Sequence, residues 1–162
     1  VAISALVTLT VQATEQTSSP GLSFSISTED TFDPVILEGT EENGVQVGFT
    51  DTYTASTSST ATISVLSLYD ERGTVAFSAV KLIYLKNRGP GTAWIGGTFP
   101  FGDGDELELS PGAVTMSCDP SAIGLPVDTS GTAFSTFTFR SGDATTVAVD
   151  IILLGEGTIT EG

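Results

Sequence analysis

The chain is 162 residues long and carries 20 acidic side chains against five basic ones, with no histidine and a formal net charge of −15. Nucleic acids and anionic membrane surfaces both recruit cationic surface, so neither is expected as a partner. Acid–base and metal chemistry lose their commonest side chain with histidine absent, and the single cysteine, Cys118, excludes an intrachain disulfide. With no histidine to activate it, Cys118 is expected to be a buried structural thiol, in keeping with folding in a reducing cytoplasm. Hydrophobic residues make up 40% of the chain, enough for a real core in one domain. Thr and Ser together supply 43 residues and the usual helix fillers are scarce, which favours strands.

The opening stretch alternates: Ile3, Ala5, Val7, Leu9, Val11 and Ala13 fall on one face and Ser4, Thr8, Thr10 and Gln12 on the other. Period two over about ten residues predicts a long half-buried strand. It lacks a positive leading region and so does not read as a secretory leader; Val1 is expected to follow a removed initiator Met. No apolar run approaches the roughly 18 residues needed to cross a bilayer. Thr17–Gly21 reads as a turn, and Leu22, Phe24 and Ile26 alternate with serines in a second strand. Residues 28–44 are acidic and broken by Pro34, Gly39 and Asn43-Gly44, with room for a short strand at 34–38. Val45, Val47, Phe49 and Tyr53 line one face of the next strand, and 62–69 resumes the pattern after a polar link at 54–60.

Residues 74–86 are apolar on both faces, which predicts a strand buried on both sides. Short strands are expected at 92–96, 105–109 and 112–117, then a loop punctuated by Pro120, Gly124 and Pro126. Two more strands follow, one through Phe134, Phe137 and Phe139 and one over 145–154. About ten strands separated by turns, with no amphipathic helix, predict an all-β fold: an antiparallel β-sandwich, jelly-roll-like, with a long N-terminal strand. Residues 1–162 are read as one domain. The soft boundary near 54–60 leaves 1–55 as a possible N-terminal extension or strand-exchange arm.

Charge is segregated along the chain. Residues 1–71 hold ten acids and no base, 72–88 hold Arg72, Lys81, Lys86 and Arg88 and no acid, and the remainder holds ten acids and only Arg140. The basic segment has two readings: pairing with acids of the same chain, or contact with an acidic surface of another subunit or a host lattice. On the second reading, reversing Arg72 and Arg88 to Glu weakens assembly and leaves the monomer folded. Gly102-Asp103-Gly104-Asp105-Glu106 resembles a calcium loop, but it lacks the twelve-residue ligand register and flanking helices of an EF-hand. Asp103 and Asp105 are weak calcium candidates at most, and Glu38, Glu41 and Glu42 read as a solvated loop. Chance pairs among twenty acids make a glycosidase signal weak. Trp94, the only tryptophan, is the candidate for a sugar-stacking platform. The glycine strings at 89–91 and 102–104 match no phosphate-cradling motif. No catalytic residue, cofactor or firm metal ligand is expected.

Residues 68–155 resemble a family of small virion-associated proteins encoded among the structural genes of tailed bacteriophages. The resemblance runs through Leu68-Tyr69-Asp70-Glu71-Arg72-Gly73-Thr74-Val75-Ala76-Phe77, then Val80–Asn87 and Ala93-Trp94-Ile95-Gly96-Gly97. It continues with Leu107-Glu108-Leu109-Ser110-Pro111-Gly112 and ends with Val147–Gly155. It implies a β-sandwich structural module without catalytic residues. On that basis the chain is expected to be a capsid decoration (cement) protein that binds the major capsid protein on the virion surface. It would be made in the host cytoplasm and act as a homo-oligomer, with a trimer favoured. A fibre or tail-associated module and a carbohydrate- or receptor-binding module are the alternatives. Interface residues are expected in the basic segment (Arg72, Lys81, Lys86, Arg88) and in the N-terminal strand (Ile3, Val7, Leu9), since a long terminal strand can complete a neighbour's sheet.

Overall fold

The computed structural model describes residues 12–13, 26–27, 37–38, 44–56, 60–98, 107–118, 125–127, 135–142 and 145–161. Four two-residue strands come first: β1 (Gln12–Ala13), β2 (Ile26–Ser27), β3 (Leu37–Glu38) and β4 (Gly44–Val45). β1 pairs with β2 antiparallel and β3 with β4 parallel. Ten strands follow in two antiparallel sheets. They are β5 (Val47–Ala55), β6 (Ala61–Ser64), β7 (Leu68–Asp70), β8 (Gly73–Asn87) and β9 (Ala93–Gly97), then β10 (Leu107–Leu109), β11 (Val114–Cys118), β12 (Leu125–Pro126), β13 (Thr136–Ser141) and β14 (Val147–Thr160).

The six-stranded sheet is ordered β11-β8-β14-β5, with β7 and β12 also on β8. β14 runs along β8 from Thr74 to Asn87. The other edge of β8 is therefore shared by β7 (on 73–75), β12 (on 79–80) and β11 (on 82–86), three short strands in succession. The four-stranded sheet is ordered β10-β9-β13-β6. β5 pairs with β14 from Val47↔Gly155 to Ala55↔Val147, so residues on both sides of the polar link at 54–60 belong to one sandwich.

The core lies between the sheets. Val47 and Phe49 of β5, Ile83 and Leu85 of β8, and Val147, Val149, Ile151 and Leu153 of β14 face Ile63, Ala93, Ile95, Phe137 and Phe139 of the smaller sheet. Alternation dictates this: each strand sends every second side chain inward. The exception is β8. Its register with β14 jumps between Leu154↔Leu82 and Gly155↔Val80, and again between Glu156↔Ala79 and Gly157↔Phe77. Lys81 and Ser78 are thus extra residues at two bulges. The first bulge reverses the inward set and the second restores it, so the core residues run Val75, Phe77, Val80, Ile83, Leu85. Around the bulges every residue from Ala79 to Ile83 is buried, as expected of a strand covered on both faces. Thr74, Ala76, Tyr84 and Lys86 nearer the ends are only half-buried.

Glycine makes the bulges possible. A Cβ on Gly155 would lie 2.1 Å from the Ala79 carbonyl oxygen, and one on Gly157 would lie 2.1 Å from that of Ala76. At the far end of β8 the fully buried Asn87 side chain organises the crossing to the second sheet. Its Nδ2 donates to the carbonyls of Gly91 (2.7 Å) and Leu109 (2.9 Å), and its Oδ1 accepts from the Gly89 amide (2.9 Å). Its backbone carbonyl also accepts from Gly112 and its amide donates to Ala113.

Several expected features take a different form. The strand expected over 62–69 is two strands, β6 and β7, broken by a turn in which the Ser67 amide donates to the Ser64 carbonyl at 3.2 Å. β14 continues six residues past Leu154, and β12 forms inside the segment read as loop. The long N-terminal strand lies outside the described residues apart from Gln12 and Ala13.

Gly155→Ala is expected to destabilise the fold by about 2 kcal/mol or more through this backbone clash. Asn87→Ala strands two buried carbonyls and an amide and is expected to cost roughly 3–5 kcal/mol. Urea unfolding of both variants checks the two figures.

Candidate functional site

The structure engages most of the basic residues within the chain. Arg72, in the β7–β8 turn, forms an ion pair with Asp70. Its Nε donates to Asp70 at 3.0 Å, its own amide donates to Asp70 Oδ1 at 2.8 Å, and its Nη2 also reaches the Gly48 carbonyl of β5 at 2.5 Å. Arg88 pairs with Asp150 of β14, whose other oxygen accepts from the Thr52 hydroxyl at 2.8 Å. Lys81 is 1% exposed, and its Nζ lies 3.0 Å from Glu156 Oε1 across the bulge. Arg140 stacks over the Trp94 ring, 5.2 Å from its centroid. Lys86 is half-buried and sits opposite Asp150 in the β8–β14 ladder. Of the two readings of the basic segment, pairing inside the chain describes Arg72, Lys81 and Arg88. The other expected interface residues, Ile3, Val7 and Leu9, and the calcium candidates Asp103 and Asp105 lie outside the described residues. Among the described residues no three His, Cys, Asp or Glu side chains gather as a metal-holding group.

Trp94 lies on the outer side of the four-stranded sheet, in a cross-strand row with Glu108 of β10 and Arg140 of β13. Its indole rests on Gly142, where a Cβ would stand 1.9 Å from Nε1. With the ring half-buried and Arg140 over it, packing and a cation–π contact engage the side chain.

Sequence reasoning missed the outer face of the six-stranded sheet. Even-numbered residues of β14 and β5 point away from the core, and so does the corresponding set of β8. The registers place Thr50, Ile152, Tyr84 and Met116 in one row, and Thr52, Asp150, Lys86 and Val114 in the next. Val114 is 49% exposed and Ile152 38% exposed. The apolar residues of this face were invisible as a group, because three strands far apart in sequence supply them. At one end the face runs into a cleft of about 510 Å³ lined by Gly48, Phe49 and Thr50 of β5, Ile152 and Leu154 of β14, and the turn residues Asp70, Glu71 and Arg72. The turn overhangs the sheet, and the Arg72–Gly48 hydrogen bond holds it there.

Electrostatics follow the contacts. The hydrogen bond from the Arg72 side chain holds the Asp70 carboxyl below its ordinary value of 3.8, against an opposing effect of desolvation. Burial, then the charge of Asp51 and a hydrogen bond to it, push the Tyr53 hydroxyl from 10.0 up to about 12. No protein-family model, curated protein or solved structure matches the chain.

The charge-reversal expectation changes accordingly. Arg72→Glu places a second carboxylate against Asp70 and frees the turn from β5, so it is expected to lower stability by about 1–2 kcal/mol in the monomer itself. The depressed Asp70 carboxyl adds stability that is fully present above pH 3.8 and is lost as the pH falls through its lower folded value. Arg72→Met removes the side-chain part of that dependence, while the amides of residues 72 and 73 still donate to Asp70. Urea midpoints measured between about pH 5 and pH 2 are expected to fall less steeply in Arg72→Met than in the parent.

Proposed function

We propose that the chain is a non-enzymatic virion structural protein, a jelly-roll-like β-sandwich that acts as a decoration (cement) protein on a tailed-bacteriophage capsid. The observation that carries this reading is the outer face of the six-stranded sheet. There Ile152, Tyr84, Met116 and Val114 form an apolar band on a hydrogen-bonded platform. Such a band, rimmed by threonine and charged residues, suits a contact surface better than a reaction site. The resemblance of residues 68–155, in the order of their motifs, to virion-associated proteins is in keeping with the same reading.

On this reading the protein's work is mechanical. Apolar contacts bridge neighbouring copies of the major capsid protein and oppose the outward pressure of packaged DNA. The chain's remaining acids keep it soluble at high local concentration. A symmetric homo-oligomer, with a trimer favoured, would match a capsid's local symmetry. The carbohydrate-binding alternative is weakened by Arg140, which already covers the Trp94 ring that a sugar would stack on.

Adding the purified protein to capsids that lack it and imaging them by electron microscopy tests the proposal. Regular density at fixed lattice positions is expected, and its local symmetry gives the oligomer. Bare capsids alongside a stable oligomer in solution would replace decoration with a fibre or tail role.

A further inference from the structure

We infer that the cleft between the β7–β8 turn and the outer face of β14 and β5 is the docking point for a partner protein's extended basic segment, which inserts one apolar side chain beside a lysine or arginine. The inference rests on the capsid-binding reading and names the surface and the chemistry through which binding occurs.

Four observations carry it. The floor is apolar: Ile152 is 38% exposed and half-buried Leu154 lies beside it. A volume of about 510 Å³ exceeds what one large aliphatic or aromatic side chain fills, which leaves room for the adjoining backbone. The cleft is also held open from within. Arg72 is tied to Asp70 and to the Gly48 carbonyl, so the turn stands off the sheet instead of collapsing onto it.

The mouth is the most selective part. Asp70, Glu71 and Arg72 together put two carboxylates against one guanidinium on the rim, with Glu71 exposed, so the rim is net acidic. The rest of the protein adds to the same field. Its net charge is −15, and Arg72, Lys81 and Arg88 are paired internally while Arg140 covers Trp94. A second copy of this chain would bring the same negative charge to the cleft, whereas a cationic segment is drawn in and oriented.

The neighbouring strand edge argues for side-chain insertion over strand addition. Asp51 occupies an inward-set position of β5, between buried Phe49 and half-buried Tyr53, and is exposed. A charge at such a position discourages another strand from pairing along that edge. The partner is therefore met on the face, in the cleft, where the carboxylate of Glu71 pairs with its cation.

The test measures binding of the full-length protein to purified capsids lacking it, for the parent and four variants. Ile152→Glu closes the apolar floor with a charge, and Ile152→Thr keeps the strand's propensity while removing most of the apolar surface. Glu71→Lys reverses the rim. Thr62→Glu, on the outer side of the four-stranded sheet, serves as the control. Both Ile152 variants are expected to weaken binding by roughly tenfold or more. Glu71→Lys should slow association and reduce its dependence on salt, and Thr62→Glu should bind like the parent. Parent binding with all four variants unchanged would overturn the cleft assignment and leave decoration intact. No parent binding would overturn the decoration reading and the docking with it. Sedimentation decides the remaining occupant: a self-associating parent made monomeric by Ile152→Glu would give the cleft to a second copy and overturn the basic-segment assignment.

Discussion

The pairing of β8 with β14 is the constraint on which the rest depends. These are the two longest strands, and every other strand of the larger sheet hangs on one of them: β5 on β14, and β7, β12 and β11 on β8. Their central side chains also fill the core against the smaller sheet. The ladder is not uniform. Two extra residues in β8 are absorbed opposite two glycines of β14, and the backbones approach there more closely than any side chain would allow. Bulges increase local twist and bend the strand that carries them. The bent end is continued by the β7–β8 turn, which lies over the outer face of its own sheet.

One local irregularity thereby connects fold and surface. Without the bulges, β8 would keep a single alternation from Gly73 to Asn87, and Lys81 would share the core-facing set of Val75 and Phe77. With them, Lys81 is the extra residue of a bulge, and its ammonium reaches Glu156 on the neighbouring strand. A buried cation is tolerable only with such a partner, because desolvation would otherwise dominate. The same bend brings Arg72 within reach of the Gly48 carbonyl and shapes the cleft.

Charge is distributed by a comparable logic. The chain has four acids for each base, yet Arg72, Lys81 and Arg88 are each matched to an acid close in space. Pairing leaves the net charge at −15, and Arg72 and Arg88 stay more exposed than the carboxylates they meet, so these bases are offset locally while remaining at the surface. Such a surface repels its own copies and like-charged neighbours, and it favours association with cationic protein surfaces. On the proposed reading, apolar side chains on the outer face supply the short-range part of the contact with a partner.

The residue pattern alone specified a good deal. Period-two alternation in β5, β13 and most of β14, and the doubly apolar run of β8, follow directly from residue type, since each strand's faces are set by its own sequence. The polar link at 54–60, between β5 and β6, was equally legible. Absence of histidine and scarcity of bases bounded the chemistry without any coordinates. What the alternation rule misplaced was the region of the two bulges. There the inward set depends on which residue of β14 stands opposite, and glycines about 75 positions away decide it. The continuation of β14 through Gly155-Glu156-Gly157 escaped notice for the same reason, because glycine weakens a strand locally and is favoured there only by the partner backbone. The partly exposed apolar band and its cleft belong to the same class. Ile152, Tyr84, Met116 and Val114 are unremarkable within their own strands, and they become a surface only when strand order and register set them side by side.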